Sequence, residues 1–152
     1  MVRKMDLEKL KIIIEKNFNN INEINPQTKG ELPKAINEVI SLLDKGKIRV
    51  AEKINDEWVV NQWIKQSILL SFKINEMDNL SGPYSSWYDK AHLLKGKTAG
   101  WTKKDHAKAG FRMVPNSPVR KGSFVGKNAV LMPCYVNIGA YIDEGTMIDT
   151  FA

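Results

Sequence analysis

The chain has 152 residues, 43% hydrophobic and 26% charged, a balance typical of a soluble globular protein with one domain or two small ones. Its apolar runs are too short to cross a bilayer, its N-terminus lacks the apolar region of a signal peptide, and its one cysteine excludes a disulfide framework, so we expect a cytoplasmic protein. The net charge of +6 fits a solvated basic surface or a small anionic partner, whereas scattered lysines and the lack of any nucleic-acid motif disfavour nucleic acid.

Helical periodicity dominates the first half of the chain. Apolar residues spaced by three and four predict an amphipathic helix over Asp6–Asn22, which the Asn, Pro and Gly residues of 25–30 bring to an end. A second helix is predicted over Pro33–Lys45, with proline in its first turn and Gly46 at its C-terminal cap. A third helix is predicted over Gln62–Ile74.

Shorter elements are predicted between and after these helices. Two β-prone runs in 48–60 flank Asn55-Asp56, which predicts a hairpin. The weak periodicity of 75–100 predicts a long connection. A capping box at Thr102 predicts a short helix that ends at Gly110, followed by a strand at 111–115.

A six-residue period appears in the C-terminal region. Bulky apolar residues recur in one register, and small residues recur four positions after them. This repeat is the signature of a hexapeptide β-helix, in which each repeat forms one face of a triangular coil. The bulky side chain is expected to point inward and the small one to sit at a tight corner. The bulky positions are Phe124, Val130, Val136, Ile142 and Ile148, and the small ones are Asn128, Cys134, Ala140, Thr146 and Ala152.

Cys134, the one cysteine of the chain, lies in these repeats and could be a structural thiol or a nucleophile. Its small inward position predicts a buried structural thiol, because no histidine lies near it in the sequence. The two histidines, His92 and His106, both precede the repeats. Related β-helices of the carbonic-anhydrase type hold zinc with three histidines, so the sequence predicts no metal site.

Several segments of the chain resemble one known protein family. The longest reads VLMPCYVNIGAYIDEGTMIDT and covers Val130–Thr150. The others are Val39–Gly46, Arg49–Lys53, Trp63–Asn75, Tyr88–Lys90 and Val119–Gly122. Together these segments resemble the tetrahydrodipicolinate N-succinyltransferase family over most of the chain, least over Glu76–Gly110. At Cys134 and Phe151 the family usually has serine and tryptophan.

The resemblance implies an activity and two site residues. The reaction would transfer succinyl from succinyl-CoA, a co-substrate, to the amine of ring-opened tetrahydrodipicolinate in lysine and diaminopimelate biosynthesis, with no permanently bound cofactor. Arg112 would bind the substrate, since a guanidinium fork suits a carboxylate. Asp149 would bind the substrate and act catalytically, by orienting the attacking amine or accepting its proton. Asp143 has the same offset within its own repeat, so the pattern alone does not choose between the two aspartates.

We predict an α+β fold with two parts. A mainly helical N-terminal domain with a hairpin would cover residues 1–110, and the first coils of a left-handed parallel β-helix would cover 111–152. The resemblance implies further coils beyond Ala152, which would carry the CoA-binding residues and the contacts of a homotrimer. We therefore expect a fragment that is incomplete for catalysis. Two alternatives stay open: a non-catalytic binding or oligomerisation module of the same fold, and another hexapeptide-repeat acyltransferase.

Overall fold

The computed structural model describes the backbone of residues 4–152 and the side chains from Leu7 onward. Helices and short hairpins come first, and very short strands follow. The elements in chain order are α1 (Lys4–Phe18), α2 (Glu31–Asp44), β1 (Ala51–Ile54), β2 (Glu57–Val60), α3 (Gln62–Ile74), β3 (Met77–Ser81), β4 (Ser86–Lys90), α4 (Ala91–Leu94), α5 (Lys103–Ala109), β5 (Arg112–Met113), β6 (Phe124–Val125), β7 (Val130–Leu131), β8 (Tyr141–Ile142) and β9 (Met147–Ile148).

The first three helices pack against one another around an apolar core. Their predicted existence is confirmed, and the predicted bounds of α3 agree with the structure. The predicted end of the first helix at Asn22 is wrong, because α1 stops at Phe18 and the chain continues in tight turns with i to i−3 hydrogen bonds. The asparagines in this stretch disfavour continued helix, since their side chains compete for backbone hydrogen bonds. The fully buried side chains of this core include Ile14, Ile36, Val39, Ile64 and Leu70.

Two antiparallel hairpins flank α3. The predicted hairpin at β1–β2 is confirmed, and both Asn55 and Asp56 have positive φ (49° and 66°), as a two-residue type I′ turn requires. The hairpin β3–β4 lies where the sequence predicts only a connection, so that prediction is wrong. Strand alternation is hidden there because exposed aromatic and polar residues occupy both faces of the strands.

The C-terminal region forms ladders of parallel strands. One sheet has the order β5-β7-β9, a second pairs β6 with β8, and an isolated bridge joins Val119 to Val136. Paired residues lie 17 or 18 positions apart, as in Arg112 with Val130 and Val130 with Met147. We call each such segment of chain a coil. An N-terminal helical domain followed by the start of a β-domain is therefore confirmed.

The inward-facing positions of the coils differ partly from the prediction. Phe124, Val130 and Asn128 were predicted one residue too early, because the spacing between inward residues is five rather than six across Pro133. The missing residue also explains why coils that include this corner have 17 residues. Positions 136, 142 and 148 are confirmed. The inward bulky residues are Met113, Val119, Val125, Leu131, Val136, Ile142 and Ile148, and the small residues two positions before them are Ser117, Ser123, Ala129, Cys134, Ala140 and Thr146.

The helical domain is attached to the coils by polar and apolar contacts. Asp44, at the end of α2, accepts hydrogen bonds from the backbone N–H of Gly122 (2.8 Å) and from the buried Lys97 ammonium (2.9 Å). Gly122 has φ 85°, and a Cβ there would lie 2.9 Å from Ile138, which belongs to the helical core. The two parts therefore meet along a close-packed seam.

Candidate active site

Arg112 lies on the outward face of β5, immediately before the inward-facing Met113. Its backbone N–H donates to Ala129 and its Cα partner in the ladder is Val130, so the strand position is fixed by the next coil. The side chain is exposed and borders a groove of about 710 Å³ between α5 and strands β5 and β7. A guanidinium in this position can present its fork to a carboxylate that enters from solvent.

Asp149 lies on the same sheet, two coils along from Arg112. It directly follows the inward-facing Ile148 of β9 and is exposed. Its Oδ1 accepts a hydrogen bond from the Thr150 backbone N–H at 2.7 Å, which orients the carboxylate. Two steps between paired strands separate the levels of Arg112 and Asp149 by about 10 Å. Among the described side chains, these two form no ion pair with each other.

The surface between Arg112 and Asp149 is largely apolar. Val130 is the ladder partner of Arg112 and Met147 the partner of Val130, while the Met132 backbone N–H donates to Ile148. Val130 and Met132 are half-buried, and Met147 is 63% exposed. The arrangement places a cation at one end, a carboxylate at the other and methylene-compatible surface between them. It can accommodate a molecule with a carboxylate, an aliphatic chain and an amine.

Asp143 is in a different environment from Asp149, although the repeat pattern does not separate them. Its Oδ2 lies 3.6 Å from an Arg49 guanidinium nitrogen, and its Oδ1 accepts from the Glu144 backbone N–H at 2.9 Å. Arg49 in turn stacks on the Tyr141 ring at 3.4 Å from the centroid. Asp143 therefore contributes to the contact between the helical domain and the coils.

Cys134 and His92 are both enclosed by protein. Cys134 is buried in the apolar core inside the coils, which is separate from the core of the three helices. Burial raises the pKa of its thiol, as expected for a structural residue. Both ring nitrogens of His92 are buried and lack hydrogen-bond partners within the described part of the chain. Burial and the nearby Arg120 lower the pKa of this histidine, so its neutral form is favoured. The described side chains include no cluster of three potential metal ligands from His, Cys, Asp and Glu.

Two residues beside Arg112 escaped the sequence-based selection of site residues. Lys103 and His106, both on α5, line the same groove as Arg112. The sequence does contain a signal for their position near Arg112. The capping box at Thr102 and the left-handed Gly110 (φ 76°) determine a short helix that ends just before β5. What the sequence does not give is which face of that helix turns toward Arg112.

The chain is similar to known proteins over most of its length. Residues 9–74 match the family model described as tetrahydrodipicolinate N-succinyltransferase N-terminal. The predicted resemblance to this family is confirmed. Relatives named 2,3,4,5-tetrahydropyridine-2,6-dicarboxylate N-succinyltransferase are 66% identical in Pelagibacter ubique, 47% in Parvibaculum lavamentivorans and 46% in Acinetobacter baylyi.

The matches cover most of this chain but only part of each succinyltransferase. They extend over 91%, 97% and 96% of the chain in the three comparisons, and over 50%, 52% and 53% of the respective relatives. The chain thus spans about half the length of the curated relatives it matches. No helix among the described residues is long and apolar enough to span a membrane.

Proposed function

We propose that this chain carries the acceptor-binding part of a succinyl-CoA-dependent tetrahydrodipicolinate N-succinyltransferase. The observation that carries the proposal is the placement of Arg112 and Asp149 on one outward face, about 10 Å apart along the ladder. Amino-oxopimelate has a carboxylate at each end and its amine on the carbon beside one of them, so its amine and its far carboxylate are separated along one carbon chain. The names of the relatives supply the reaction class.

The proposed chemistry assigns each part of this face to one part of the acceptor. Arg112 binds a carboxylate of the ring-opened substrate, and the surface of Val130 and Met132 contacts its methylenes. Asp149 orients the amine and accepts its proton as the nitrogen attacks the thioester carbonyl. The C–N bond forms, the C–S bond breaks, and the CoA thiolate leaves and is protonated. Holding the amine beside the thioester lowers the entropic part of the barrier.

Further features of the whole protein belong to the same proposal. The β-domain would be a left-handed parallel β-helix starting at about residue 111, supported by coils of 17 or 18 residues with small residues at their corners. The CoA-binding residues and the contacts of a homotrimer would lie outside these 152 residues, consistent with the greater length of the relatives. Use of succinyl-CoA would place the reaction in the cytoplasm.

The proposal is tested by joining this chain to the part of the Pelagibacter ubique relative that lies C-terminal to the match, hereafter the joined protein. CoA release is measured with succinyl-CoA and tetrahydrodipicolinate, and with succinyl-CoA alone. We expect acceptor-dependent release by the joined protein and only background release by the 152-residue chain. A folded joined protein without acceptor-dependent release would contradict the succinyl-transfer proposal. Full turnover by the 152-residue chain would contradict the expectation that this chain alone is incomplete for catalysis.

The two alternatives make different predictions in the same assay. A non-catalytic module of this fold would bind a dicarboxylate at Arg112 without releasing CoA. Another hexapeptide-repeat acyltransferase would release CoA with a different acyl donor or acceptor. We favour the succinyltransferase because the relatives of the chain have that name, and because an exposed Asp149 on the same face as Arg112 supports an amine acceptor.

A further inference from the structure

The groove beside Arg112 is lined by several groups that can bind an anion. Lys103 and His106 of α5 line it together with Arg112 of β5, and Asn128 adds an amide side chain. No carboxylate lines this groove among the described residues. Cationic side chains along an open groove attract anions and can donate charge-assisted hydrogen bonds to them.

The one carboxylate of α5 is turned away toward the helix cap. Asp105 Oδ2 accepts hydrogen bonds from the Thr102 backbone N–H (2.8 Å) and the Thr102 hydroxyl (2.6 Å). These hydrogen bonds lower the pKa of Asp105, so the carboxylate stays ionised within the capping box. It is therefore engaged in capping the N-terminus of α5 and leaves Lys103 and His106 available to a ligand.

The imidazole of His106 is held in place by an aromatic series that leads to β5. Its ring meets Trp101 edge-on at 5.2 Å between centroids, and Trp101 contacts Phe111 at 6.0 Å. Phe111 is buried and immediately precedes Arg112. The packing that anchors Arg112 thus also positions His106, so the two side chains share one rigid support.

We infer that this groove is a carboxylate subsite in which Lys103 and His106 act with Arg112 to bind one carboxylate of the acceptor. The inference rests on the proposed function and names further acceptor-binding residues for it. Arg112 alone would bind this carboxylate on an exposed surface, where a single ion pair contributes little. Two further donors from α5 would add hydrogen bonds to the same carboxylate and hold it more tightly.

The inference is tested by direct binding of pimelate and, separately, of CoA to the joined protein, measured by calorimetry. The test variants are Lys103→Met and His106→Phe, the latter chosen because phenylalanine keeps the contact with Trp101 and removes both nitrogens. Lys104→Met is the matched control, since Lys104 lies on the same helix, has the same charge and does not line the groove. Steady-state KM values for the acceptor and for succinyl-CoA are measured in parallel.

We expect each test variant to weaken pimelate binding about tenfold, with CoA binding nearly unchanged and the Lys104→Met control unaffected. Equal effects of Lys103→Met and Lys104→Met would overturn the inference, as would a raised KM for succinyl-CoA alone. Because pimelate binding is measured without the thioester, loss of pimelate affinity is observable even if CoA release is not. A failure of the proposed function is therefore distinguishable from a failure of this subsite.

Discussion

At the scale of single residues, environment separates two aspartates that the repeat pattern treats alike. Asp143 contacts Arg49 across the seam between the helical domain and the coils, and Arg49 stacks on Tyr141. Asp149 is exposed at the end of β9, where its carboxylate is oriented by a backbone N–H. A carboxylate already paired with an arginine is a poor partner for an incoming amine, so the structure supports Asp149 as the proposed catalytic residue.

Asp149→Asn in the joined protein is expected to lower kcat by about 10²- to 10³-fold, because an amide cannot accept the proton of the attacking amine. Asp143→Asn is the matched control and should leave kcat nearly unchanged. It removes only a partly exposed ion pair, whose loss costs about 0–1 kcal/mol of stability. The measurement is initial-rate CoA release at saturating substrates. A larger kcat loss for Asp143→Asn than for Asp149→Asn would reverse the assignment.

How much of the site the sequence predicts depends on the kind of information each residue requires. Cys134 could be predicted as a buried thiol because its place in a repeat fixes the direction of its side chain. The prediction of Arg112 and Asp149 as site residues depended on the family resemblance, because charged residues at outward positions are common and do not by themselves indicate a site. The position of Lys103 and His106 beside Arg112 depends on how α5 is rotated against β5. That rotation is set by the packing of Trp101 against Phe111 and His106, which sequence patterns do not specify.

At the scale of elements, the sequence predicts the bounds of a helix or turn where a short motif determines them. The capping box and Gly110 gave the bounds of α5, and Asn55-Asp56 gave the turn between β1 and β2. The coil register depends on a single five-residue step at the Pro133 corner, which a search for strict six-residue repeats passes over. Phe124 therefore faces outward, where its ring contacts Tyr141 at 4.6 Å between centroids.

The junction of α2 with the coils gives a prediction at this scale. Asp44→Ala would leave the Lys97 ammonium, which is 8% exposed, without its carboxylate, and would leave the Gly122 N–H without its acceptor. We expect a loss of about 3 kcal/mol in the free energy of unfolding. Urea unfolding of the protein measures this loss.

The double variant Asp44→Ala with Lys97→Met is the control for the unpaired charge. It should recover part of the loss, because methionine removes the buried ammonium while keeping much of its aliphatic volume. If Asp44→Ala costs less than about 1 kcal/mol, the ion pair does not stabilise the junction as described.

At the scale of the whole molecule, the helical domain and the coils form two cores that meet at one seam. Ile138, on the coils, belongs to the helical core, so neither part is packed independently of the other. Within the coils, the pairing of β5 and β9 with β7 fixes their register and places Arg112 and Asp149 on one face. We propose that a segment equivalent to the unmatched half of the relatives would supply the acyl donor to that face.

The most direct test of the account is the acceptor dependence of Arg112→Met in the joined protein. CoA release is followed while the tetrahydrodipicolinate concentration is varied at saturating succinyl-CoA. We predict that KM for the acceptor rises by about 10- to 100-fold, since a charge-assisted, bidentate contact is lost, while KM for succinyl-CoA stays within about twofold. An unchanged acceptor KM in Arg112→Met would contradict the claim that this face binds the dicarboxylate.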